Sequence, residues 1–166
     1  MLDLLIKNGS CFINGELKDL DIGVKNGKIK KIGIISEEAK EIYDAKNQTV
    51  LPGCIDTQTH FREPGSTDTE DLNSGSKAAV AGGITSVFEM PNTNPPTANK
   101  EEFQKKLDLA KNRMYCNYAF YFGATAGNVT QLAELKNLEG CCGIKLFAGS
   151  STGNLLVADE KDIDKV

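Results

Sequence analysis

From Gly53 onward the sequence alternates short apolar runs with amphipathic ones, and few architectures absorb that pattern. "GCID", "ITSVFEM", "CNYAFYFG" and "CGIKLFAG" are short, β-branched or aromatic, and bounded by glycine or polar residues, so they read as strands. Between them, "TEDLNSGSKAAVAGG", "NKEEFQKKLDLAKNR" and "NVTQLAELKNL" read as helices. Asn99 is placed to cap the second, with Glu102 three residues on, as in a capping box. Phe103, Leu107 and Ala110 share one face of that helix, and Val129, Leu132 and Leu135 form a stripe on the next. Four strands alternating with three helices predict parallel βα units in an α/β fold. An open four-stranded sheet and the first half of a (β/α)8 barrel both satisfy the pattern. "ADEKDIDKV" reads as the opening of one more helix.

The first fifty residues have a different texture. Asn8-Gly9, Asn14-Gly15 and Asn26-Gly27 each follow a short strand-like run, and Asn-Gly is the strongest short hairpin signal. "LDIGVKNGKIKKIGII" is the clearest case, with alternation on both sides of the turn. Pro52-Gly53 punctuates the change. The expected division is a β segment over 1–52 and the βα units over 53–166.

Composition narrows the function classes. Lys and Arg number 19 against 23 Asp and Glu, for a net charge of −4, and no basic patch suggests a nucleic-acid footprint. No apolar run is long enough to cross a membrane, and "MLDLLIKNGS" lacks a signal-peptide pattern. The five cysteines are odd in number and show no CxxC spacing, which argues for free thiols in a reducing compartment. A cytoplasmic protein acting on a small molecule, with neither nucleic acid nor membrane as partner, is expected. Cys141-Cys142 could bind a metal or be ordinary thiols.

In βα barrels, chemistry sits at the C-terminal strand ends. Three polar clusters fall there: "DTQTHFREPG", "MPNTNPP" and Lys145. Along a regular strand Asp56, Gln58 and His60 would share one face. His60 is the only histidine. Two residues at i, i+2 can chelate a metal, but a Gln58 amide oxygen is a poor zinc ligand, so His60 reads equally as a partly buried structural histidine. In "GIKLF", Ile144 and Leu146 would face the helices and Lys145 the interior. There burial would lower its pKa, and the neutral amine could react with carbon dioxide to give an anionic carbamate. A lysine snorkelling from a strand end is the alternative. Arg62 offers a rigid fork suited to a carboxylate, and Asn92 an amide contact to the same ligand. A surface ion pair of Arg62 with Glu63 or Glu70, and an ordinary turn asparagine, are the structural alternatives.

Together "IDTQTHFREPG", "AAVAGGITSVFEMPNTNPP" and "GIKLFAGSSTGN" strongly resemble the dihydroorotase family, within the cyclic amidohydrolases; the resemblance runs from about Leu4 to the end of the chain. It implies the N-terminal part of a metal-bearing (β/α)8 barrel preceded by a β-sandwich segment. The implied activity is zinc-dependent interconversion of N-carbamoyl-L-aspartate and dihydroorotate in pyrimidine biosynthesis, with one or two Zn2+ ions. On this resemblance His60 is a metal ligand, Lys145 the carboxylated, metal-bridging lysine, and Arg62 and Asn92 the contacts to the substrate carboxylate. Gln58 stands where the family usually has a histidine, which weakens one metal position. The family chain is more than twice as long, and its later strands supply further ligands and the catalytic aspartate. A chain with one histidine is therefore expected to be inactive alone. Its two open sheet edges predict aggregation or pairing with another copy, a homo-oligomer. The alternatives are a hydantoinase or allantoinase, or a non-catalytic assembly partner, for which Gln58 is the best argument.

Overall fold

The computed structural model describes residues 1–151 and 154–166; Thr152 and Gly153, inside the "GIKLFAGSSTGN" block, lie outside the described residues. The chain forms two compact units, Met1–Pro52 and Gly53–Val166.

The first unit is one sheet of β1 (Leu2–Ile13), β2 (Glu16–Lys25), β3 (Lys28–Gly33), β4 (Ala39–Asp44) and β5 (Thr49–Val50). Its order is β3-β2-β1-β4, with β5 also on β1. The β1–β2 and β2–β3 pairs are antiparallel, and β4 and β5 run parallel to β1. Asn14-Gly15 and Asn26-Gly27 make the two expected tight turns, with positive φ at all four residues, as hairpin turns of the primed kind require. Asn8-Gly9 does not turn. It forms a bulge within β1, where the register to β2 slips between Ile6 and Gly9. Asn8 takes φ 55° there and its N–H donates to Asp21 Oδ1 at 3.1 Å. The same left-handed backbone that closes a hairpin also accommodates an extra strand residue, so the dipeptide alone does not separate the two. Leu2, Leu5 and Ile35 form this unit's core, with Ala39 against them.

The second unit runs β6 (Cys54–Thr59), α1 (Leu72–Ala81), β7 (Ile84–Glu89), α2 (Lys100–Ala110), β8 (Asn117–Gly123), α3 (Val129–Leu132), a 3-10 turn (Ala133–Asn137), β9 (Cys141–Lys145) and α4 (Glu160–Ile163). The four strands are parallel and lie in chain order, β6-β7-β8-β9, an arrangement that the start of a (β/α)8 barrel shares. Helices and strands meet in one apolar cluster around Leu72, Val87, Phe103, Phe120 and Phe122. The ring of Phe103 meets that of Phe120 edge-on at 6.4 Å. Asp71 caps α1, its carboxylate accepting the Ser74 N–H, and Asn99 caps α2 by accepting the Glu102 N–H at 2.8 Å.

The third helix is shorter than its stripe predicts: one α turn passing into a 3-10 turn. Asn128 stands at its cap position but makes no cap bond. That buried side chain is committed elsewhere, accepting from Thr125 N and donating to the carbonyls of Ala98 and Gly123. Without a side-chain cap, the first turn is closed by backbone alone, with Gln131 N–H donating to Asn128 O at 2.9 Å.

Candidate functional site

The segment after β6 alternates anchors and presented side chains. Phe61 and Glu63 are buried. Phe61 packs so tightly on α1 that a Cβ at Gly75 would lie 2.5 Å from its ring. Glu63 takes a bidentate grip from Arg113, at 2.8 and 3.1 Å, and accepts the Leu72 N–H at 2.9 Å. His60 and Arg62, between and beside these anchors, are left to face away from the helices. Arg62 also adopts φ 56°, the left-handed region that is unfavourable for a residue bearing a Cβ. Its carbonyl closes a turn by accepting Ser66 N–H at 2.9 Å.

The loop after β7 meets this segment. Asn94 N–H donates to Pro64 O at 2.9 Å, and a Cβ on Gly65 (φ 120°) would sit 2.9 Å from Asn94 Cβ. Between the two loops lies a cleft of about 400 Å³ lined by Arg62, Ser66, Asn92 and Thr93 among others. Arg62 and Asn92 are therefore together, as the sequence suggested. The alternative ion pair with Glu63 is closed off, since Arg113 holds that carboxylate. Among the described residues no carboxylate pairs with Arg62. Asn92 Oδ1 is buried and makes no hydrogen bond of full geometry among them; the His60 ring is near enough to interact with it.

His60 stands two residues before Arg62 and near the Asn92 side chain, both of which line this cleft. Burial and then the charge of Arg62 hold its pKa below the usual 6.5; the Asn92 side chain, near enough to accept from the ring, pulls the other way, and Lys145 and Lys106 push it down further. The neutral ring is the form these surroundings favour. Lys145 is half-buried, not enclosed, and its Nζ lies 5.2 Å over the Phe147 ring. Leu146, next to it, packs on the helix-side cluster. A Cβ at Gly143, two residues before, would meet Tyr121 at 3.3 Å. Lys145 thus lies on the face away from the helices, near enough to His60 to act on its charge. Ile144, which the alternation turns toward the helices, stays 41% exposed because only one short turn covers that flank.

Gln58 stands apart. The β6–β7 register is irregular between Asp56 and Thr59, so the simple alternation that would align Asp56, Gln58 and His60 is interrupted. Gln58 is exposed, and its N–H donates to Asp56 Oδ1 at 2.9 Å. The donor set does not fit a zinc site on this chain. Among the described residues no group of three or more His, Cys, Asp or Glu converges, the amide at 58 is a poor ligand, and the charges acting on His60 are all positive.

Below the cleft lies a pair that the sequence reading missed. Glu89 (1% exposed) and Lys106 (0%) form a buried ion pair. Burial raises the Glu89 pKa against the pull of Lys106, and burial lowers that of Lys106. The signal was available: Glu89 continues the helix-facing period of Val87, and Lys106 stands three residues after Phe103 on the apolar face of α2.

Comparison with known proteins agrees with this architecture. Residues 49–148 match the amidohydrolase family. The chain is 39% identical over 162 residues to a dihydroorotase of Methanosarcina mazei, covering 96% of this chain and 35% of that protein. It is 38% identical over 163 residues to an allantoinase of Salmonella choleraesuis, covering 98% and 36%. An L-hydantoinase from Arthrobacter aurescens superposes with a TM-score of 0.90 at 28% identity, over 99% of this chain and 37% of that one. The chain thus spans about a third of the length of the relatives it matches. With a family match across most of the second unit and a parallel βα sheet of the same fold, the chain belongs to the amidohydrolase family.

Proposed function

We propose that this chain carries the substrate-carboxylate site of a cyclic amide hydrolase of the dihydroorotase type, interconverting N-carbamoyl-L-aspartate and dihydroorotate. The observation that carries the reading is Arg62, unpaired with any described carboxylate and sharing a cleft with Asn92, whose buried Oδ1 makes no hydrogen bond of full geometry. A guanidinium seeking an anion beside such an acceptor complements a carboxylate next to an N–H, which dihydroorotate presents. Allantoin and simple hydantoins have the ring amide but no carboxylate, so the cleft favours dihydroorotate although a named allantoinase is almost as similar in sequence.

Lys145 is the residue we assign to carbamylation. The ammonium would lose one proton to give the amine, which would add to carbon dioxide and release a second, converting a cation beside His60 into an anion. His60, whose neutral form its surroundings favour, is the one imidazole available as a metal donor. The one or two zinc ions of the family would need further donors from outside residues 1–166, so the work assigned to this chain is binding and orientation. No turnover is expected from it alone.

The lone histidine makes the test simple. N-carbamoyl-aspartate titrated into the protein should shift the single imidazole resonance, and Arg62→Ala should abolish the shift. Allantoin shifting it at equal concentration, or an undiminished response in Arg62→Ala, would refute the reading.

A further inference from the structure

The structure assigns a positioning role to the Glu89–Lys106 pair: we propose that it sets the spacing between Arg62 and Asn92, and so governs affinity for a carboxylate-bearing cyclic amide without touching it. The ligand named here rests on the function proposed above; the geometry does not.

Each member of the pair holds the backbone beside a cleft residue. Glu89 Oε1 accepts the N–H of Phe61 at 3.2 Å, from the peptide that joins His60 to Phe61, one residue before Arg62. Lys106 Nζ donates to the carbonyl of Met90 at 2.9 Å, two residues before Asn92. The ion pair joins the two bonds into one continuous tie from the first loop to the second. Two further bonds brace the same junction: Met90 N–H to Thr59 O at 2.9 Å and Thr59 Oγ1 to Phe88 O at 3.3 Å.

Stability alone does not account for the pair. A buried ion pair is worth no more than well-packed apolar residues of similar volume, and often less. The surroundings here are apolar; Lys106 Nζ lies 5.1 Å from the Phe120 ring centroid and Phe103 is one turn away. What an apolar pair could not supply is an acceptor for Phe61 N–H and a donor for Met90 O. The left-handed backbone at Arg62 raises the demand, because a strained conformation persists only where its neighbours over-determine it.

The test compares the full chain with two double variants, E89L/K106M and E89Q/K106M, using melting temperature, the His60 resonance without ligand, and N-carbamoyl-aspartate affinity. E89L/K106M removes both ties while leaving no charge unpaired. It leaves Phe61 N–H and Met90 O without partners, so it should melt below the wild type while staying folded, and it should show a displaced His60 signal and affinity weakened roughly ten- to a hundredfold, the scale of an ångström of misplacement. E89Q/K106M keeps an acceptor for Phe61 N–H, so its His60 signal should return toward wild type while affinity stays reduced through the lost Met90 tie. A merely structural pair would move the melting temperature and nothing else. Wild-type affinity in folded E89L/K106M overturns the proposal, and so does wild-type affinity in E89Q/K106M should the first variant fail to fold. If the wild type itself ignores N-carbamoyl-aspartate, the functional reading fails, while the ligand-free His60 comparison still decides the positioning role.

Discussion

Arg62 brings together two demands that oppose each other. Its side chain is presented to the cleft only because the backbone turns left-handed at that residue, a conformation that costs a Cβ-bearing residue about 1 kcal/mol or more. Glycine adopts the same φ without penalty. Arg62→Gly is therefore expected to raise stability by about 1 kcal/mol in chemical denaturation, less any entropy glycine adds to the unfolded chain, while removing the response to N-carbamoyl-aspartate. Loss of stability in Arg62→Gly would show that the side chain, not the backbone, is what the fold depends on there. Of the other presented residues, the face of Lys145 could be placed from the sequence because strand alternation turns it away from Leu146; His60, one residue past the end of β6, could not be placed by that rule. Gln58 could not, because the register irregularity beside it leaves no mark in the residue types.

At the scale of elements, α1 holds the first loop from behind. Gly75 faces Phe61, and a methyl group there would intrude to 2.5 Å from the ring. Gly75→Ala should cost about 1–3 kcal/mol, the usual penalty for overpacking, despite alanine's better helix propensity. A neutral or stabilising result would mean that Phe61 yields freely. Asn99→Ala at the head of α2 should cost about 1 kcal/mol, the worth of an N-cap. The α1 cap adds a pH dependence. Hydrogen bonds from Ser74 hold the Asp71 carboxyl below its ordinary range. A carboxyl depressed in the folded state contributes stability above its unfolded value near 3.9, and that contribution is lost as pH falls through the lower folded value. Asp71→Asn should flatten that part of the acid limb of the stability curve and leave the rest; an unchanged limb would remove Asp71 from the account. The same elements show what a sequence conveys. Apolar period and caps gave all four strands of the second unit and placed α1 and α2, because those signals are local. The length of the third helix was not legible, since its cap residue is diverted by partners 5 and 30 positions away. Nor was the bulge at Asn8-Gly9, whose partner Asp21 lies 13 residues on.

For the molecule as a whole, the alternation of strand and helix left an open sheet and the start of a barrel equally possible; the family match and the superposition on a hydantoinase decide for the barrel. That answer carries a liability. Within the described residues the parallel sheet ends at β6 on one side and β9 on the other, each with an edge bearing no strand partner. Ile55 on β6 is 58% exposed and Ile144 on β9 is 41% exposed, so both edges are flanked by apolar surface. Unpaired edges with apolar flanks recruit further strands, and a charged side chain is the usual protection. The 166-residue chain is therefore expected to associate as its concentration rises. Because Cys54 is an exposed free thiol, the measurement must be made under reducing conditions, so that disulfide exchange is not mistaken for strand pairing. Sedimentation across roughly a hundredfold concentration range should show growing mass for the wild type, and Ile144→Lys should shift the balance toward monomer by charging the β9 flank. A wild-type chain that sediments as a monomer throughout would mean that its edges are protected by some means other than pairing.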